Sequence, residues 1–91
     1  SKNKNSNKNI DNEKIYILIA SFYSEETAIF LKDRITKDIP SYDKKKLKIK
    51  KKGNTKIDLI SGPYNTVNLM KNDYIKLKKF GFEELDLTIN E

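Results

Sequence analysis

Hydrophobic residues recur at every second position in three segments of the chain and occupy consecutive positions in a fourth. The doubly apolar segment is 15–20, and the alternating ones are 47–50, 57–60 and 85–89. A turn built on Gly and Asn at 52–55 separates the second segment from the third. Because a period of two is typical of β-strands, the pattern predicts four of them.

Two amphipathic helices are predicted between these strands. The first begins after Ser24, whose hydroxyl can accept hydrogen bonds from free N–H groups, and it ends before Pro40. The second is capped by Asn65 or Thr66 and is ended by Gly81. The element order is therefore β-α-β-β-α-β.

This order predicts an α+β, ferredoxin-like or RNP-like domain over residues 15–91. With right-handed crossovers, its antiparallel sheet has the strand order 4-1-3-2, and both helices lie on one face. The other face stays open. Nine side chains are expected under the helices: Ile17, Ile19, Leu47, Ile49, Ile57, Leu59, Leu85, Leu87 and Ile89.

The composition argues against an enzyme. The chain contains no histidine and no cysteine, so it lacks the commonest general base and metal ligand and cannot form disulfides. No Gly-rich phosphate loop is present, and the glutamate pairs 25–26 and 83–84 are adjacent in sequence, so their side chains diverge. We therefore expect no catalytic residue, metal or cofactor.

The positive charge is concentrated in one strip. The net charge is +6, yet residues 44–56 hold eight lysines and no acid, so the rest of the chain carries a net −2. Such a strip attracts an anionic partner, or it protects an edge strand from unwanted pairing; the sequence leaves both interpretations open. Residues 1–14 are almost entirely Lys, Asn, Ser and Asp and predict a disordered polar linker.

An internal repeat relates the two halves of the domain. ILIASFYS at 17–24 aligns with LISGPYNT at 59–66. Each copy consists of a strand, a corner of small residues, an aromatic residue and a helix cap. Small residues suit any strand-to-helix corner, but two matching copies next to the central strands favour a pseudo-twofold design.

The chain resembles the SPOR (sporulation-related repeat) domain in two motifs. These are Y-x-x-x-A-S-F at 16–22 before the first helix, and Gly62-Pro63-Tyr64 before the second. In that family, the corresponding strands end in G-S-F and G-P-F. The second helix also ends near Gly81-Phe82, as in the family, and the resemblance covers about residues 15–90.

The resemblance implies a non-catalytic module that binds peptidoglycan glycan strands lacking stem peptides, at the division septum of a bacterium. It also implies a location in the periplasm or cell envelope, as a monomeric module of a larger envelope protein without membrane insertion in this segment. Two positions associated with glycan recognition differ. Leu18 stands where the family usually has Gln, and Asp58 stands where it often has Arg.

The open face of the predicted sheet supplies a candidate glycan site. Tyr16, Leu18 and Ile60 form an apolar floor on which sugar C–H faces can lie. Lys48 and Lys50 flank the floor and can meet the lactyl carboxylate of muramic acid. The further predicted site residues are Asp58, which an ion pair with either lysine would also explain, and the corner residues Ser21, Phe22 and Tyr64.

Two other uses of the open face compete with glycan binding. A further segment, a second copy or a partner protein could cover it. The same fold also serves RNA-recognition motifs, which stack bases on aromatic residues of the central strands. Residues 57–60 contain no aromatic residue, so Tyr16 alone is a poor platform, and only non-specific phosphate binding by the lysine strip stays open.

Overall fold

The computed structural model describes residues 14–89, in which four strands alternate with two helices and a short 3-10 turn. The elements are strand β1 (Ile15–Phe22), helix α1 (Glu25–Asp38), the 3-10 turn (Lys44–Lys46), strands β2 (Leu47–Lys51) and β3 (Ile57–Tyr64), helix α2 (Val67–Phe80) and strand β4 (Asp86–Ile89). All strand pairs are antiparallel, in the order β2-β3-β1-β4. The predicted ferredoxin-like fold is confirmed. The linker predicted at 1–14 lies outside the described residues except for Lys14.

The ends of both helices are fixed by the residues that the sequence indicated. The Ser24 hydroxyl accepts a hydrogen bond from the Thr27 N–H at 3.2 Å, and the Thr66 hydroxyl accepts one from the Leu69 N–H at 3.1 Å. Gly81 adopts a φ of +129° and ends α2. Each hydroxyl cap stabilises its helix by about 1 kcal/mol.

The hydrophobic core lies between the helices and the two central strands. Ile17 on β1, Leu59 on β3, Ile35 on α1 and Leu77 on α2 are each 0% exposed. Burying a side chain of this size contributes about 1.5–3 kcal/mol. Since these residues come from four different elements, they hold both helices against the same face of the sheet.

The helices cover less of β4 than the sequence predicted. Leu87 and Ile89 point to the helix side of the sheet but remain 45% and 52% exposed. The reason is that α2 packs over β1 and β3 and does not extend across the edge strand. The expectation that the helices bury these two residues is therefore wrong.

A β-bulge interrupts the pairing of β1 with β3. Leu18 lies opposite Ile60, but Ala20 lies opposite Leu59, so Ile19 is an extra residue in β1. An extra residue exchanges the two faces of every position that follows it. Regular alternation along β1 therefore stops at this point.

The bulge decides which corner residues reach the open face. Beyond it, Ser21 lies opposite Asp58 on the open face, whereas Phe22 lies opposite Ile57 and packs against the core. Without the bulge, the aromatic ring would lie on the open face and the hydroxyl would be directed into the core.

At the opposite end of β3, the backbone approaches Tyr16 closely. Gly62 has a φ of +152°, and a Cβ atom placed on it would lie 2.6 Å from Cδ2 of Tyr16 and 3.0 Å from the carbonyl oxygen of Ile15. The Tyr16 ring therefore rests on the β3 backbone, in a space that only glycine leaves free.

We expect Gly62→Ala to destabilise the fold more than Gly53→Ala. Gly53 is a matched control because its φ is +143° and a Cβ there would meet nothing within 4 Å. Both changes introduce backbone strain of about 1–3 kcal/mol. Only the change at 62 adds a steric clash, which typically costs about 1–3 kcal/mol more. Urea denaturation measures both losses in the free energy of unfolding, and equal losses would contradict the close approach.

Candidate functional site

The register of the sheet assembles one continuous surface opposite the helices, here named the open face. It consists of Tyr16, Leu18 and Ser21 on β1, Asp58, Ile60 and Gly62 on β3, Lys48 and Lys50 on β2, and Asp86 and Thr88 on β4. The predicted site residues on the central strands and on β2 are thus brought together, apart from Phe22 and Tyr64.

The apolar part of the open face is narrower than the sequence predicted. Tyr16 and Leu18 are half-buried and present part of their side chains to solvent. Ile60 is only 1% exposed. It therefore supports the floor from within and offers no surface of its own to a ligand.

The ammonium groups of the two predicted lysines differ in the number of protein hydrogen bonds that they make. The Lys48 ammonium donates to the carbonyl oxygens of Gly62 at 2.9 Å and of Lys45 at 3.1 Å, so two of its three N–H groups are used. Its side chain thereby runs along the face from its position opposite Ile60. The Lys50 side chain makes no hydrogen bond or ion pair within residues 14–89 and is the freer cation.

Asp58 is buried and bonded to the corner of β1. It is 4% exposed, and its Oδ1 accepts a hydrogen bond from the Ser21 hydroxyl at 2.6 Å. Lys50 is its partner in the register of β2 and β3, but no ion pair between them is present among the described residues. Because the hydroxyl hydrogen of Ser21 is directed to Asp58, its oxygen remains available to a ligand only as an acceptor.

Tyr64 does not belong to the open face. It is 2% exposed and forms part of the core on the helix side. Phe22 also packs against that core, although its edge reaches a groove at the end of β1. The prediction that Tyr64 shapes the ligand cleft is therefore incompatible with its position, because no part of a ligand on the open face could reach it.

Tyr64 instead belongs to a buried hydroxyl network that sequence reasoning missed. Its hydroxyl donates to Oδ2 of Asp73 at 2.6 Å and is 2.7 Å from the Ser61 hydroxyl, which also bonds to the hydroxyl of Tyr42. Tyr42 lies in the loop between α1 and β2, so the network ties that loop to the sheet. Ser61, a polar residue at a core-facing position of β3, was the available signal.

The buried hydroxyl network stabilises the neutral, protonated form of the Tyr64 and Tyr42 side chains. Desolvation by burial raises the pKa of Tyr64, and its hydrogen bond to Asp73 raises it further. Burial likewise raises the pKa of Tyr42. Since the ordinary pKa of tyrosine is about 10, the contribution of these hydroxyl groups to the free energy of unfolding is constant below pH 10. It declines as the pH rises further, because the unfolded chain then ionises first.

We expect Tyr64→Phe to lower the free energy of unfolding by about 1–3 kcal/mol at neutral pH, because it removes the donor to the Asp73 carboxylate, which is 14% exposed. The gap between wild type and variant should narrow above pH 10. Tyr74→Phe is the control, since the Tyr74 hydroxyl makes no hydrogen bond within the described residues. Urea titrations across alkaline pH measure both effects; a gap that widens above pH 10 would contradict the proposed coupling.

A groove lies at the end of β1, beside the Ser21–Asp58 pair. It is lined by Ser21, Phe22, Tyr23, Thr55 and Lys56. Tyr23 is 89% exposed, the largest exposed fraction among the large hydrophobic residues of the described chain. The predicted site contained neither Tyr23 nor Thr55, and Lys56 was predicted only as a member of the lysine strip. The aromatic residue directly before a helix cap was a usable signal.

Comparisons with other proteins do not identify the site. The chain matches no protein-family model, and searches of curated proteins and of solved structures found no match. Within residues 14–89, no group of three or more potential ligands is arranged to hold a metal ion. Neither helix in that range has the length and apolar character needed to cross a bilayer.

Proposed function

We propose that this protein is a non-catalytic, SPOR-like module that binds peptidoglycan glycan strands lacking stem peptides. The observation that carries the proposal is the open face itself. A partly exposed apolar strip, Tyr16 and Leu18, lies on the central strand β1, and a free cation, Lys50, lies across β3 on the same face.

The apolar strip suits the carbohydrate rings of such a strand. Sugar rings present C–H groups on their faces, and these can pack on the Tyr16 ring and the Leu18 side chain, as apolar groups do elsewhere. Asp86 lies opposite Leu18 on β4, and its second carboxylate oxygen, beside the one that accepts the Leu87 N–H, is an acceptor for a sugar hydroxyl group. The hydroxyl oxygen of Thr88 is buried and offers no such contact. The floor therefore accepts an extended chain that is apolar on one face and polar at its edges.

The lysine ammonium groups are complementary to the negative charge that is exposed when a stem peptide is removed. Each muramic acid then carries a free lactyl carboxylate, which the Lys50 ammonium can meet. Lys48 keeps one N–H for the same purpose beside its two carbonyl contacts. Exposed ion pairs contribute only about 0–1 kcal/mol each, so single modules should bind weakly and gain from multivalency in a longer parent protein.

Intact peptidoglycan is disfavoured by the same features. A stem peptide converts the lactyl carboxylate into an uncharged amide and adds bulk above a nearly flat sheet. Both effects weaken the binding of glycan that carries stem peptides relative to the binding of stripped glycan. A module with this preference would gather at the division septum of a bacterial envelope, where the family resemblance implies that stripped glycan is formed.

The two departures from the family pattern have a consistent interpretation. Leu18 replaces a polar contact with apolar floor area. Asp58 is directed to Ser21 and is almost fully buried, so it orients a hydroxyl instead of contacting the ligand. The proposed site therefore relies more on apolar packing than the usual site of the family.

We expect Tyr16→Ala and Lys50→Gln each to reduce sedimentation with amidase-treated sacculi, and the double variant to reduce it at least tenfold. The Tyr16 ring supplies apolar contact, and the Lys50 ammonium supplies a positive charge that has no hydrogen bond or ion pair within residues 14–89. Lys79→Gln, an exposed change on α2 far from the open face, is the matched control for the loss of charge.

The same assay decides between the competing functions. Sedimentation that is equal for stripped and untreated sacculi, or unchanged in the double variant, would contradict the proposal. A shift of single-stranded RNA at low salt, without retention on either kind of sacculus, would instead favour phosphate binding by the lysine strip. Urea denaturation of each variant must show that the fold is retained.

A further inference from the structure

The groove at the end of β1, here named the end groove, has the dimensions of a small ligand site. Its volume is about 310 Å³, at the lower limit of the roughly 300–1,000 Å³ typical of small-molecule sites. A cavity of this size accommodates one sugar ring, not an extended chain.

The end groove continues the open face. Ser21 belongs to both, and its neighbour across the strands, Asp58, is the last residue of β3 on that face before Lys56. From Tyr16 to Phe22, the last residue of β1 before Tyr23, the path along the strand is about 20 Å at the usual rise. A ligand that follows β1 across the floor is therefore led into the end groove.

Tyr23 is exposed to a degree that packing does not explain. Phe30, the other strongly exposed aromatic residue, is 63% exposed and has the Arg34 guanidinium 6.0 Å from its ring centroid. Tyr23 is 89% exposed, and within residues 14–89 its ring stacks on no other ring and meets no cation. Its ring face is therefore free to pack on a ligand.

The other residues of the end groove provide the polar complement. The Ser21 oxygen is restricted to accepting because its hydrogen is directed to Asp58, so it can accept a hydrogen bond from a sugar hydroxyl or an acetamido N–H. Thr55 can donate or accept, and the Lys56 ammonium carries a positive charge. This set matches an N-acetylated sugar that bears a carboxylate.

We propose that the end groove is a further sugar subsite, in which a muramic acid ring packs on Tyr23 and its lactyl carboxylate meets Lys56. This inference rests on the proposed function. The subsite places the axis of the bound glycan along β1. It also makes the affinity depend on the length of the glycan. A single disaccharide can occupy the floor or the end groove, whereas a longer strand occupies both.

The experiment compares two stripped glycan ligands, a single disaccharide and a long fragment, by isothermal titration calorimetry. Wild type should bind the long fragment more tightly than the disaccharide. Tyr23→Ala should lower the affinity for the long fragment about threefold to tenfold, as expected for the loss of one aromatic packing contact. Lys56→Gln should lower it about twofold to fivefold at low salt.

Matched controls separate the end groove from general surface effects. Tyr23→Phe keeps the ring and should retain most of the affinity for the long fragment. Phe30→Ala removes an exposed aromatic residue of α1, and Lys79→Gln removes an exposed charge of α2; neither should change binding. Thermal unfolding of the Tyr23 and Lys56 variants should match wild type, because both side chains are exposed.

The outcomes distinguish this inference from the proposed function. If wild type binds neither ligand, the glycan function fails, and the subsite fails with it. If wild type binds and Tyr16→Ala weakens binding, but Tyr23→Ala and Lys56→Gln do not, only the subsite is overturned. A selective loss for the long fragment in the two end-groove variants supports it.

Discussion

The burial of β3 on both of its faces is the constraint on which the rest of the structure depends. On the helix side, Leu59 is enclosed by the core that α1 and α2 share with β1. On the opposite side, Ile60 is covered although no helix lies there. A shift of β3 by one residue would exchange its two faces, turn Asp58 toward the core and move Gly62 away from the Tyr16 ring, so the register is strongly specified. The position of every residue of the open face follows from that register.

Sequence patterns predicted the fold well because its determinants are local. Ser24, Thr66 and Gly81 act on the backbone within a few residues, so the ends of the helices could be predicted without tertiary information. The site was only partly predictable for the opposite reason. The bulge at Ile19, which places Ser21 on the open face, and the hydroxyl network around Tyr64 arise from contacts between distant segments. No periodicity in the chain encodes them.

The lysine strip illustrates how tertiary contacts divide residues that look equivalent in sequence. Lys46 donates to the carbonyl oxygen of Pro63 at 2.9 Å and lies 5.0 Å from the Tyr64 ring centroid, and Lys51 lies 3.7 Å from Glu25. With Lys48, these side chains stabilise the corner of β3 and the edge of the sheet. Lys50 and Lys56 make no such contacts within the described residues. Lys46, Lys48 and Lys51 therefore have structural partners, whereas the side chains of Lys50 and Lys56 are the ones left for the proposed contact with an anion.

This division has a consequence for how a weak ligand can be recognised selectively. Lys46 and Lys51 raise the positive potential around the open face, so under the proposed function they would accelerate the encounter with an anionic polymer of any kind. Discrimination would then have to come from the two free ammonium groups and from the rings of Tyr16 and Tyr23, which would contact the ligand at defined positions. In the proposed complex, a long glycan strand would contact the apolar strip first, then Lys50 in the row of Ser21 and Asp58, and finally the end groove. A polyanion without apolar ring faces would contact only the lysines. Selectivity under the proposed function would therefore depend on apolar contacts along β1 combined with charged contacts from β2 and the β2–β3 turn.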